Sequence, residues 1–129
     1  MKIAHIAIWT RDLEGMRNFY MHYFDASSKD PYYNHTRDFK SYMLSFSDDC
    51  KLELMQMPGI PANKNDIRKQ ATGLIHFAIS LGSKTQVDEL TSQLKIDGFK
   101  VISEPRTTGD GYYESVVLDP EGNRIELTV

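Results

Sequence analysis

Apolar and polar positions alternate over residues 2–9. Ala4, Ile6 and Ile8 fall on one face, and Ile3, His5, Ala7 and Trp9 on the other, the period-two signature of a strand. The period then changes. Leu13, Met16, Phe19, Tyr20, Tyr23 and Phe24 recur at helical spacing, behind Thr10 and Asp12 as candidate caps and an acidic first turn at Asp12 and Glu14. Asp30-Pro31 breaks the pattern. Strands are predicted over 38–46, with Phe39, Tyr42, Leu44 and Phe46, and over 51–57, with Leu52 and Leu54 opposite Lys51, Glu53, Met55 and Met57. The Ser47-Asp48-Asp49 cluster reads as the turn between them. After a proline-bearing, polar stretch at 58–72, the sequence predicts a strand at 74–81 and a helix at 85–95 with Val87, Leu90 and Leu94 buried. Asp97-Gly98 ends that helix. Strands follow at 99–103, 113–118 and 124–129. A flexible loop at 107–111, either a candidate lid or a plain hairpin loop, and an Asp119-Pro120-Glu121-Gly122-Asn123 turn separate them.

The second half repeats the first. Lys2-Ile3-Ala4-His5-Ile6-Ala7-Ile8 matches Gly73-Leu74-Ile75-His76-Phe77-Ala78-Ile79 at an offset of 71, and Met16, Phe19 and Tyr23 match Val87, Leu90 and Leu94 at the same offset. Lys51-Leu52-Glu53-Leu54 matches Arg124-Ile125-Glu126-Leu127 at an offset of 73. Each copy reads as strand, helix, then about three strands, an α+β class. The first module covers 1–57, a linker covers 58–72, and the second module covers 73–129. One unit is too small to bury both faces of its sheet, so two tandem βαβββ modules are expected to form a curved mixed sheet with a helix behind each half. The helix side would bury Ile6, Ile8, Leu52, Leu54, Ile75, Phe77, Ile79, Ile125 and Leu127.

That burial decides where the chemistry lies. Each of His5, Glu53, His76 and Glu126 is flanked by apolar residues that must point the opposite way, so all four are placed on the face away from the helices. Two imidazoles and two carboxylates at repeat-equivalent positions form a donor set suited to a divalent first-row metal. His22 and His35 lack a repeat partner and read as surface residues.

The totals narrow the function classes. The chain has 129 residues, 40% hydrophobic and 26% charged, with a formal charge of −3. That is an ordinary globular composition with no basic stripe for nucleic acid. No apolar run reaches membrane-spanning length, and the N-terminus enters a strand pattern with no secretory signal. The single cysteine, Cys50, cannot form an internal disulfide, which points to a reducing cytoplasm and gives the thiol no role.

His5-Ile6-Ala7-Ile8, Leu52-Glu53-Leu54, His76-Phe77-Ala78-Ile79 and the run Leu118-Asp119-Pro120-Glu121-Gly122-Asn123-Arg124-Ile125-Glu126-Leu127 together resemble the vicinal oxygen chelate superfamily. The chain is most similar to its small members of the glyoxalase I type. The resemblance implies the paired βαβββ fold and Zn²⁺ or Ni²⁺ held by His5, Glu53, His76 and Glu126 with water. It also implies a homodimer whose sites lie between modules. It further implies a lyase whose metal grips two neighbouring substrate oxygens and stabilises an enediolate. Glu126 would be the base and Glu53 its pseudo-symmetric counterpart. Trp9, Met55, Met57 and Thr128 would line the pocket for a small molecule such as a thiol hemithioacetal.

Glyoxalase I enzymes usually carry an arginine four residues after the first ligand, where this chain has Trp9; Arg11, Arg37 and Arg106 are the basic residues left to contribute. Family alternatives are a fosfomycin-type thiol transferase, a non-catalytic small-molecule-sequestering resistance protein, a ring-cleaving dioxygenase, and a metal-keeping member that has lost its reaction. Glu53 argues against the transferase, which generally uses three protein ligands, and the full donor set argues against the sequestering protein. Ring-cleaving dioxygenases usually have more modules.

Overall fold

The first strand, β1 (His5–Trp9), is followed by the helix α1 (Leu13–Phe24), whose start is fixed by Asp12: its side chain accepts from the Gly15 amide at 3.0 Å. Thr10, almost wholly buried, accepts from the Asp12 amide at 3.1 Å and so sets the approach to that cap. Two short strands come next, β2 (Ser27–Ser28) and β3 (Tyr32–Asn34), then β4 (Phe39–Ser45) and β5 (Lys51–Gln56). The second half runs β6 (His76–Ser80), α2 (Lys84–Ile96), β7 (Val101–Thr107), β8 (Tyr113–Leu118) and β9 (Arg124–Thr128). The computed structural model describes residues 1–47, 50–67 and 69–129. The turn expected at 47–49 therefore lies mostly outside the described residues.

The chain divides into two compact units, Met1–Ala62 and Asn63–Val129. In the first, the strand order is β1-β5-β4-β2, with β3 also on β4. In the second it is β6-β9-β8-β7. The pair at one end of each sheet is parallel (β1 with β5, β6 with β9), and the remaining pairings are antiparallel. The α+β reading as two βαβββ modules is thus observed, with the strand hydrogen bonds falling into two mixed sheets, one per unit. The sequence pattern missed β2 and β3. Two or three residues are too short to show a period, and these edge strands exist because β4 offers them backbone partners.

In the first unit, Leu13, Met16, Phe19, Tyr20 and Phe24 of α1 are buried, as are Tyr42, Leu44, Leu52 and Leu54 of the sheet. In the second, Val87, Thr91 and Leu94 of α2 are buried, with Val117, Ile125 and Leu127 beneath. Leu90 is only half-buried, a correction to the expected stripe. Thr91 takes that place because its hydroxyl is satisfied twice, bonding the Val87 carbonyl at 2.6 Å and the buried Ser115 hydroxyl at 2.6 Å. Of the two readings of the 107–111 loop, its backbone bonds fit the hairpin. The Thr108 amide donates to the Tyr112 carbonyl at 2.8 Å and the Gly111 amide to the Thr108 carbonyl at 3.0 Å. Gly111 supplies the positive φ of 96° that closes it.

Candidate metal centre

β5 and β9 are the inner strands that carry the glutamates. Leu52 and Leu54 flank Glu53, Ile125 and Leu127 flank Glu126, and all four aliphatics are buried on the helix side. Strand alternation then drives both glutamates to the opposite face. The parallel register sets Ala7 beside Glu53 and Ala78 beside Glu126. The small alanine side chains leave the diagonal open, and each histidine meets its glutamate across it.

His5 Nε2 lies 3.8 Å from Glu53 Oε2, and His76 Nε2 lies 3.2 Å from Glu126 Oε2. The histidines are about half exposed, while the glutamate side chains are only 21% and 18% exposed. Each unit therefore brings together its own imidazole and carboxylate. Among the described residues, no three His, Cys, Asp or Glu side chains gather closely enough to hold a metal ion. The donor types fit a borderline divalent cation, with each unit supplying two donors. His22 and His35 are exposed and pack against Tyr23 and Tyr33.

The turn at 119–123 is what fixes the position of Glu126. Asp119, 4% exposed, accepts from the Glu121 and Asn123 amides at 3.0 and 2.9 Å through one oxygen, and from the Asn123 side chain at 2.8 Å through the other. This is an Asx turn whose geometry delivers β9 in register to β8. Arg124, also buried, reaches the carbonyls of Asp66 and Ile67 at 3.3 and 3.0 Å and anchors that stretch of the second unit.

Of the residues expected to line a pocket, Trp9, Met55 and Met57 belong to the first unit and Thr128 to the second. Trp9 and Met55 are register neighbours, and Trp9 meets Phe39 edge-on at 6.1 Å. Met57 lines a cleft of about 440 Å³ in the first unit, with Thr10, Arg11, Asp38, Lys40 and Gln56. Thr128 stands in the second unit, in register with Ser80.

The two carboxylates differ in their surroundings. The Glu126 carboxyl is held above the usual carboxylate range, first by desolvation and then by the charge of Glu114, with His76 opposing and a Glu114 hydrogen bond and Asp110 adding. Sequence reasoning passed over Glu114, because its contact with Glu126 comes from the β8–β9 register. A stability consequence follows for the metal-free protein. The folded state holds a proton on Glu126 more tightly than the unfolded chain does. The associated stability is complete below the unfolded value of about 4.3 and is lost as pH rises through the folded one. In excess chelator, the melting temperature of Glu126→Gln minus that of the parent should climb with pH across that window and then level off. A difference independent of pH would refute this.

The sequence matches the Glyoxalase/Bleomycin resistance protein/Dioxygenase superfamily over residues 2–127. The uncharacterized protein YqjT of Bacillus subtilis (strain 168) is 29% identical over 126 residues, which is 95% of this chain and 94% of that protein. Glyoxalase I from Zea mays superposes with a TM-score of 0.79 at 24% identity, covering 98% of this chain and 44% of the longer maize chain. The trypanothione-dependent glyoxalase I of Leishmania major gives a TM-score of 0.76 at 21% identity, covering 99% and 86%. These two structural likenesses show the fold. Duplicated modules, the shared strand order and a superfamily match across nearly the whole chain lead to one assignment: this protein belongs to the Glyoxalase/Bleomycin resistance protein/Dioxygenase superfamily.

Proposed function

We propose that this chain is a metal-dependent lyase of the glyoxalase I type, acting in the cytoplasm on a small substrate with two neighbouring oxygens, such as a thiol hemithioacetal. The observation that carries the reading is the duplicated histidine–glutamate pair, 3.8 Å and 3.2 Å apart, on the sheet face opposite the helix in each unit. A stability role explains neither pair well, since half-exposed ion pairs contribute little. In this reading His5, Glu53, His76 and Glu126 hold one Zn²⁺ or Ni²⁺, with each pair providing half of the protein donors in a homodimer.

When bound, the cation supplies Lewis-acid polarisation of the two substrate oxygens. A Glu126 carboxylate oxygen takes the proton from the adjacent carbon, and Glu53 is its pseudo-symmetric counterpart. Trp9, Met55, Met57 and Thr128 are assigned to substrate contact. Trp9 stands where glyoxalase I enzymes usually carry an arginine, so the thiol need not be glutathione.

Metal analysis of untagged protein tests this first. One equivalent of zinc or nickel per chain is expected, with loss of that metal in His5→Ala and His76→Ala. Iron instead would favour a dioxygenase, and no metal would favour a sequestering protein. Turnover of methylglyoxal with a panel of thiols then tests the reaction, and light scattering tests the dimer.

A further inference from the structure

The repeat breaks in charge at one end of the sheet. Thr10 and Leu81 hold equivalent places, their amides donating to the Met55 and Thr128 carbonyls, each at 2.8 Å. From that match, Thr10, Arg11, Lys40 and Gln56 of the first unit correspond to Leu81, Gly82, Tyr113 and Val129 of the second. The first unit sets two cations and an amide where the second has none. The same residues line the cleft of about 440 Å³, together with Asp38 and an apolar wall at Pro58 and Ile60. Lys40 and Gln56 are in register on β4 and β5, as are the buried Tyr42 and Leu54 one step along. The cleft therefore lies on the helix side of the sheet, and Glu53 faces the other way.

The positive charge in the cleft is held in place but not cancelled. The Asp38 carboxylate accepts from the Tyr33 hydroxyl at 2.7 Å. The Lys40 ammonium stands over the Tyr33 ring, 5.2 Å from its centre, a contact that orients a cation without neutralising it. Among the described residues, no carboxylate oxygen lies within 4.0 Å of Lys40 Nζ. The Gln56 side chain donates to the Arg11 carbonyl at 2.7 Å and ties the end of β5 to the approach of α1. The volume is that of a small-molecule site. We propose that the first unit carries a ligand site separate from the metal face, in which Arg11 and Lys40 take the carboxylate or phosphate group of a small organic anion. Its short carbon skeleton lies against Pro58 and Ile60.

The test is an amide ¹H–¹⁵N titration of the chelator-stripped full chain with glycerol phosphate, glycerate and neutral glycerol. Either anion should shift the amides of Arg11, Lys40, Gln56 and Gly59 and leave those of His5, Glu53, His76 and Glu126 in place. Glycerol should shift neither set. The tighter of the two anions tells phosphate from carboxylate. Lys40→Met, which keeps an unbranched stem beside Tyr33, should weaken that anion by about 10- to 100-fold, the share of a hydrogen bond to a charged group. Lys100→Met, at an exposed lysine of the second unit, should leave it parental. If Lys40→Met does not fold, Arg11→Met is measured in its place with the same expectation. Three results overturn the proposal: no shift with either anion, shifts that gather on the four residues of the metal face, or equal weakening by Lys100→Met and Lys40→Met. The chain is stripped of metal throughout, so failure here leaves the metal reading standing.

Discussion

Glu126→Gln is expected to lower kcat by about 10²- to 10⁴-fold, the range a positioned general base supplies, with methylglyoxal and whichever thiol supports turnover. Glutamine keeps the shape and a neutral oxygen donor but cannot accept the substrate proton. The buried flanking residues, Ile125 and Leu127, are untouched, so the circular dichroism spectrum should stay parental. Metal content decides how the result is read. Turnover lost with metal retained assigns the base. Turnover and metal lost together assign Glu126 only as a ligand. Parental turnover removes it from the mechanism. The same change at Glu53 provides the comparison, since Glu53 faces Met43 across β4 where Glu126 faces Val116 across β8.

Leu127→Ala is expected to cost about 2–5 kcal/mol of folding stability, the range for truncating a large aliphatic in a packed core. Leu127 is 0% exposed, and it lies on β9 between β6 and β8, in register with Ile79 and Ser115. The neighbouring strands leave little room for β9 to collapse into the void, which favours the upper part of that range. Urea denaturation of the metal-free chain measures it as a lowered midpoint at unchanged slope. A loss under 1 kcal/mol would mean that the site relaxes around the cavity. Because the same strand carries Glu126, Leu127→Ala should also loosen metal binding, and Leu127→Met should restore most of both.

The repeat and the side of the sheet on which each chemical group lies were legible in the linear pattern. Strand alternation is a local rule: once Leu52 and Leu54 are buried, Glu53 has only one direction left, and the same holds for Glu126 between Ile125 and Leu127. Helix positions followed as directly, and the offset of 71 even pairs Tyr20 with Thr91, both buried. Tertiary structure decided what depends on which strand lies beside which. The edge strands β2 and β3 form only because β4 presents its backbone to them. Thr91 is tolerated in the core only because Ser115 lies opposite. The loop at 107–111 looked mobile by composition, yet backbone bonds between its ends close it. Glu114 reads as one more polar residue in an alternating strand, until the pairing of β8 with β9 sets it against Glu126. Local sequence dictates which way a side chain points, whereas its neighbours are chosen by strand register, a property of two distant segments together.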